Sequence, residues 1–294
     1  MTAQQSDRRR VVLVTGATTG IGLALVKILQ QSGDRVVVTA RASSLERFSD
    51  EGIAEDDKTL LRPLDVTNLD EQSRLVDEIK QKWAGVDVLV NNAGVSYCAV
   101  VEDLTPDALD EQFAVNFQGP MNLIRLVLPY MRGRRSGHII NVSSVGGMMA
   151  MPAMGAYSAS KFALEGASES LWYEMRPWGI RVSLIQPGFV HSNSFLNVKM
   201  THLSQASVDG PDCPYHGYYE NMSPFIARMM NRSSATPQSI ARTILRTMNQ
   251  RSPKLRVPAT ADAWLFYYLR RGLPRRLYHY MLFRALPKIA SWVR

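Results

Sequence analysis

Through the first 190 residues, short apolar runs alternate with longer amphipathic stretches. The runs at 10–15, 35–40, 59–64, 87–91, 138–142 and 180–186 are rich in Val, Ile and Leu and almost continuously apolar. Strands read this way when both faces of their sheet are covered. Between them, residues 21–31, 68–83, 106–131 and 156–178 repeat their apolar positions at helical spacing. Strand and helix taking turns predict βαβ units with right-handed crossovers, hence an α/β fold with one doubly wound parallel sheet and helices on both faces. A weaker seventh strand is predicted at 254–257.

After Pro187-Gly188 the pattern loosens. Residues 189–235 are rich in Ser, Asn, Pro and Met and carry an aromatic cluster at Tyr215, Tyr218, Tyr219 and Phe225. A long insertion at the carboxyl edge of a sheet reads as a lid over a site. Thr236 followed by Pro237 predicts an N-cap and first helical position, opening a helix over 237–249. The expected organisation is therefore a single domain over 1–258, with 189–235 as a lid insertion, and a distinct tail over 259–294.

Charge separates the tail from the rest. Residues 1–250 carry 24 Lys+Arg against 25 Asp+Glu, whereas 251–294 carry 10 basic residues and one acid, Asp262. The tail alone therefore accounts for the net +8 of the whole chain. Cys98 and Cys213 match no metal or redox spacing, and the five histidines form no ligand pair. Two free thiols in a reducing compartment, and no metal, are the expectation. The N-terminal ten residues are polar, the apolar run after them is too short for a signal-peptide core, and no stretch reaches spanning length. These features predict a cytoplasmic protein.

Candidate chemistry begins after the first strand, at Thr15-Gly16-Ala17-Thr18-Thr19-Gly20-Ile21-Gly22. The glycines allow a tight turn, and the helix that follows offers N–H donors and positive potential to a pyrophosphate. The Gly-x3-Gly-x-Gly spacing departs from the Gly-x-Gly-x-x-Gly dinucleotide fingerprint and lacks the Lys-Ser/Thr ending of a nucleoside triphosphate loop. A bare Gly-rich turn is often a plain loop, but a strand before it and a helix after it favour a dinucleotide. At the end of the second strand, Ala40 stands where an acid would take a ribose 2′-hydroxyl, and Arg41 suits a 2′-phosphate. That points to NADP(H), against the plainer reading of Arg41 as a solvated surface residue. Asp65-Val66 is placed to meet adenine, and Asn92-Ala93-Gly94 to let the chain run along the ribose.

Tyr157 and Lys161 lie four apart at the start of a helical pattern, so both project to one place. A free phenol titrates near pH 10; a neighbouring cation is expected to lower that value towards the range useful for proton exchange. Alone the pair is a common surface pattern, and its place beside a nucleotide loop is what singles it out. With Thr15–Gly22, Asp65, Asn91–Gly94, Asn116, Ser143-Ser144, Tyr157–Lys161 and Pro187-Gly188 in this order over residues 10–190, the chain resembles the short-chain dehydrogenase/reductases. Within them, Ser144–Gly147 and Lys161–Gly166 are most similar to estradiol 17β-dehydrogenase type 1 and the photoreceptor retinol dehydrogenases.

The resemblance implies a Rossmann-like NADP-binding catalytic domain and a tetrad of Asn116, Ser144, Tyr157 and Lys161. Ser144, thirteen residues before Tyr157, is chosen over Ser143. Tyr157 would exchange the proton of the carbonyl oxygen, Ser144 would polarise the carbonyl, Lys161 would lower the phenol and grip the ribose, and Asn116 would hold a relay water. The nicotinamide carboxamide would be received by Pro187, Gly188, Val190 and Ser192, although threonine is commoner at the last position. The implied reaction interconverts a primary or secondary alcohol with its aldehyde or ketone. The alternative is a non-redox, nucleotide-sensing regulatory member; that role usually goes with loss of tetrad residues, and all four are present. An epimerase or dehydratase would carry Gly-x-x-Gly-x-x-Gly, which is absent.

The segment between Ser144 and Tyr157 holds four methionines, which offer an adaptable apolar surface or simply fill a core. Together with Met149, Met151 and Phe195, the aromatics of 215–225 predict a lipophilic substrate of steroid, retinoid or long-chain type. His216 is a candidate for orienting a distal polar group. The tail mixes Trp, Tyr, Phe and Leu with Arg pairs, and prolines 274 and 287 divide it into short helices. It fits a peripheral segment on anionic lipid, a lid, or a dimer contact. The family resemblance implies a homodimer, and no nucleic-acid motif accompanies the charge.

Overall fold

Burial on both faces explains the apolar strands. The computed structural model describes residues 9–192 and 198–293. In chain order, β1 (Val11–Val14) leads into α1 (Gly20–Gln30), β2 (Arg35–Ala40), the short α2 (Arg47–Asp50), β3 (Thr59–Pro63), α3 (Leu69–Trp83) and β4 (Val88–Asn91). Next come α4 (Pro106–Phe113), a π-helical turn (Ala114–Gln118), α5 (Gly119–Gly133), β5 (Gly137–Val142), α6 (Gly155–Met175) and β6 (Ile180–Gln186). The chain continues through α7 (His202–Asp209), α8 (His216–Arg232), α9 (Pro237–Asn249), β7 (Arg256–Pro258), α10 (Ala261–Gly272) and α11 (Arg275–Ala285).

Among the described residues, seven strands form one sheet in the order β3-β2-β1-β4-β5-β6-β7, and every pairing is parallel. Alternate residues of each strand serve opposite faces. Val12, Val14, Val36, Val38, Val88 and Val90 enter the core that includes α1 and α9. Val11, Leu13, Val37, Leu89, Ile139 and Val182 enter the core under α3, α5 and α6. The chain winds from β1 outward to β3, then returns to place β4 on the other side of β1. That reversal opens a crevice at the carboxyl ends of β1 and β4, where sheets of this kind bind ligands.

Two local features shape the site. Pro120 lies in the first turn of α5, and its nitrogen carries no hydrogen for the Asn116 carbonyl four residues earlier. The α-helical ladder cannot run through this point, and the π turn with Asn116 in it takes its place. The second feature is the stretch with the loosened sequence pattern. It contains α7, opened by a Thr201–Ser204 capping box, and α8, which has Pro224 inside it. Thr236 caps α9, with Pro237 at its start. The tail forms α10 and α11, and no helix among the described residues is long and apolar enough to cross a membrane.

Candidate active site

The Gly-rich turn is held by its own backbone. Gly16 and Gly20 have left-handed φ of +64° and +58°, which glycine adopts without steric cost. A Cβ on Gly16 would lie 2.7 Å from the Ala93 Cα, and one on Gly22 would lie 2.5 Å from the Gly16 carbonyl oxygen. Asn92 braces this contact, donating through Nδ2 to the carbonyls of Thr15 (3.0 Å) and Gly16 (2.9 Å). The Thr15 hydroxyl accepts from the main-chain N–H of Asn92 (3.0 Å) and Ala93 (3.1 Å). Asn92 and Ala93 thus shape the loop from the β4 side. Thr19 precedes α1 without capping it through its side chain, and no acid stands in the first helical turn. Nothing lies within 4 Å of the position a Gly20 Cβ would take. Uncapped N–H donors, the positive end of α1 and open space fit a pyrophosphate between half-buried Thr18 and Ile21.

Later strand ends border the same crevice. Arg41 is exposed immediately after β2. Asp65 accepts from the Thr67 N–H (2.9 Å) and hydroxyl (2.7 Å) through one carboxylate oxygen. The Val66 carbonyl accepts from Gln72 (2.5 Å) and would lie 2.5 Å from a Cβ on Gly119. This edge of the crevice therefore abuts the start of α5. Gly94 lies on the reacting side, where an added Cβ would stand 3.3 Å from Asn116 Oδ1 and 3.8 Å from Lys161 Nζ.

The structure brings the four tetrad positions together. Tyr157 and Lys161 occupy the first turns of α6, with Lys161 Nζ 5.9 Å from the centre of the Tyr157 ring. Lys161 Nζ donates to the Val142 carbonyl at the end of β5 (2.9 Å). Ser144 follows that strand and caps a short turn, its Oγ accepting from the Gly146 N–H (3.0 Å). A Cβ on Gly146 would meet the Tyr157 ring at 2.9 Å and Ser144 Oγ at 3.5 Å, so glycine there lets the two hydroxyls converge. Ser143 faces away, under Gly147, its buried Oγ without a hydrogen-bond partner among the described residues. The Asn116 side chain is fully engaged: it donates to the Val95 carbonyl (2.9 Å) and Ser160 Oγ (3.1 Å) and accepts from the Val95 N–H (2.9 Å).

One electrostatic expectation is corrected. The Tyr157 phenol is not lowered by the chain's own groups; burial pushes it above its ordinary value, and a hydrogen bond from Ser144 opposes that. Burial also lowers the Lys161 ammonium to about 8, with the Glu165 carboxylate acting the other way. Desolvation disfavours both charged forms.

Glu165 escaped the sequence reading. It lies one turn beyond Lys161, buried, and accepts from Gln186 Nε2 (2.8 Å) and Arg256 Nε (2.9 Å), while Arg256 also reaches Glu169 (2.7 Å). The i to i+4 spacing of Lys161 and Glu165 was available as a signal; Arg256, 91 residues away, was not.

The remaining candidates are placed unevenly. The Gly188 N–H is engaged by Thr260 Oγ1 (2.9 Å) and the Phe189 N–H by Asp262 Oδ2 (2.9 Å). Gly188 is thus tied to the tail. Val190 is buried in the core, and Ser192 Oγ donates to the Val190 carbonyl (3.4 Å). Met149 packs with Val145, Met148 and Ala263, and Met151 joins them from the side together with Phe266, Tyr267 and Leu282. Met151 and Phe189 also meet Met222, Ile226 and Trp292. The methionines therefore fill an apolar layer between the site and the tail. His216 begins α8 and turns its Nδ1 to the Ser207 carbonyl (3.3 Å), linking α8 to α7. Phe195 lies outside the described residues.

Comparison with known proteins agrees with this geometry. The family model described as short chain dehydrogenase matches residues 10–202. The 3-ketodihydrosphingosine reductase of Bacteroides thetaiotaomicron is 34% identical over 247 residues, covering 84% of this chain and 86% of that protein. Retinol dehydrogenase 8 of Bos taurus is 32% identical over 259 residues, covering 85% and 81%. A metagenomic short-chain oxidoreductase, solved in complex with NADP, is 28% identical with a TM-score of 0.65, covering 85% of this chain and 97% of that one. A glycine-turned crevice at the sheet reversal, with Ser144, Tyr157 and Lys161 at its mouth, and a family match over residues 10–202 together place this chain in the short-chain dehydrogenase family.

Proposed function

We propose that this protein is an NADP(H)-dependent oxidoreductase interconverting an alcohol with its ketone or aldehyde on a lipophilic substrate. The observation that carries the reading is the convergence of Ser144, Tyr157, Lys161 and Asn116 beside the Gly16–Gly22 turn. That turn and the start of α1 would hold the pyrophosphate, Arg41 the 2′-phosphate, Asp65 and Val66 the adenine, and Lys161 the nicotinamide ribose. When bound, the nicotinamide supplies or accepts the hydride at the substrate carbon.

The rest falls to the chain. Ser144 Oγ accepts from Gly146, which leaves its single hydrogen to turn from Tyr157 to a substrate carbonyl oxygen. Tyr157, raised by burial, stays protonated at neutral pH and so holds the proton that reduction consumes. Lys161 keeps most of its charge below about 8 and, on this reading, resupplies the phenol. Because the Asn116 side chain is engaged, the role assigned to it falls to its carbonyl, which Pro120 leaves without an α-helical partner. A carbonyl so placed accepts from a relay water.

The apolar layer of Met148, Met149, Met151, Phe266 and Tyr267 favours a steroid, retinoid or long-chain substrate over a sugar. The names of the sphingoid and retinoid relatives point the same way. The outer faces of α10 and α11 expose Trp264, Leu265, Tyr268, Leu277, Tyr280 and Phe283 among the arginines of the tail. We read this face as resting on anionic lipid, and the long helices α5 and α6 as the contact of a homodimer. The test is a panel of steroid, retinoid and 3-keto sphingoid carbonyls assayed with NADPH and NADH, alongside Arg41→Ala. Turnover with NADPH preferred, and that preference lost in the variant, supports the reading; no turnover of any lipophilic carbonyl overturns it.

A further inference from the structure

The tail touches the site at two points through a single helix. At its start, Thr260 caps α10, and the same Oγ1 accepts the Gly188 N–H at 2.9 Å. Two residues on, Asp262 Oδ2 accepts the Phe189 N–H at 2.9 Å. The fit is close: a Cβ on Gly188 would stand 1.9 Å from Asp262 Oδ2, and its three nearest atoms all belong to that carboxylate group. Gly188 is therefore glycine because Asp262 occupies the space a side chain would need. The Ala259 N–H also donates to the Gln186 carbonyl (2.9 Å), so the tail is fastened on both sides of Pro187.

Further along α10, Arg270 donates to the Met148 carbonyl and lies over the Phe162 ring, 5.1 Å from its centre. Ala263, Phe266 and Tyr267 fill the space between, against Val145, Met148 and Met149. The two fastened loops are themselves joined, the Val145 N–H donating to the Pro187 carbonyl at 2.7 Å. Ser144 is the residue before that link.

We infer that α10 is a strap that sets the reacting geometry, with Asp262 and Arg270 as positioning residues; the inference rests on the reading of this site given above. Asp262 fixes the Pro187–Phe189 turn on the nicotinamide side, and Arg270 fixes the Met148 loop on the substrate side. Neither touches the reacting atoms. Each acts through main-chain groups whose displacement by about 1 Å costs on the order of a hundredfold in rate. Asp262, the lone acid of a strongly basic tail, is committed to the Phe189 amide and to the space beside Gly188.

The test compares Asp262→Ala, Asp262→Asn and Arg270→Ala in the full chain. Asp262→Ala is expected to lower kcat/KM about ten- to hundredfold and to weaken NADPH binding, with Asp262→Asn restoring most of both. Arg270→Ala is expected to raise the KM for the carbonyl substrate while leaving NADPH affinity within about twofold. Gly188→Ala should reproduce the Asp262→Ala defect, and the double variant should be no worse than the poorer single one. Amide exchange at Gly188 and Phe189 gives a readout independent of turnover, and should quicken in Asp262→Ala. If the parent chain reduces no carbonyl, the functional reading fails while amide exchange still decides the strap. Folded Asp262→Ala and Arg270→Ala with parental NADPH affinity, kcat/KM and exchange would overturn it.

Discussion

At the scale of single residues, the site is governed by what burial does to charge. Lys161 is 5% exposed and lowered to about 8, while the Tyr157 phenol is raised. In the proposed reduction, a tyrosine protonated through neutrality and a lysine that loses its proton just above it would act as a donor pair. As pH rises through about 8, Lys161 becomes neutral and can no longer return a proton to the phenol. The kcat/KM for carbonyl reduction should therefore fall on the alkaline side of a pH profile, and a value constant to pH 10 would contradict the role given to Lys161. The grouping of Asn116, Ser144, Tyr157 and Lys161 was legible because they stand in a recognisable order along the chain, and Tyr157 and Lys161 share a face at fixed spacing. Their titration was not legible, because burial depends on what covers the site. His216 shows the same limit: its residue type does not announce that its Nδ1 meets the Ser207 carbonyl.

At the scale of elements, the strands and the helices between them were readable from apolar period. β2 and β6 match the expected ranges, and other ends move by a residue or two. The stretch 106–131 read as one helix, yet the structure breaks it at Ala114–Gln118. The cause was written in Pro120, whose missing N–H leaves the Asn116 carbonyl without its α-helical donor. Pro120→Ala should restore that donor and allow a regular ladder. Thermal stability is expected to hold or rise, whereas kcat should drop about tenfold as Asn116 leaves its place. Melting and steady-state rates on the same preparation check this; a parental kcat would show that the π turn has no part in turnover. Residues 189–235 were read for composition, and α7 and α8 went unseen because Pro224 interrupts the period of α8. Their caps, Thr201 with Ser204 above all, were the available signal.

At the scale of the whole molecule, the sheet reversal places the nucleotide crevice, while distant segments finish the reacting side. Thr260 and Asp262 meet Gly188 and Phe189 across 72 and 73 residues, and Arg256 reaches Glu165 across 91. No local pattern announces such pairs, so the sequence left a lid as one of three readings of the tail, and its inner face lies against the methionine layer. Its outer face remains available to lipid: vesicles containing phosphatidylserine should sediment the chain, and replacing Leu265, Tyr268, Tyr280 and Phe283 by Ser should release it. Equal sedimentation of both would remove the membrane reading. The central claim, that Tyr157 exchanges the substrate proton at a nucleotide-dependent redox site, is tested most directly by Tyr157→Phe. Binding of NADPH, followed by fluorescence, and turnover of a substrate accepted by the parent are measured on one sample. The account predicts NADPH affinity within a few fold of the parent and turnover lower by about 10²- to 10⁴-fold. Undiminished turnover with nucleotide bound would contradict it.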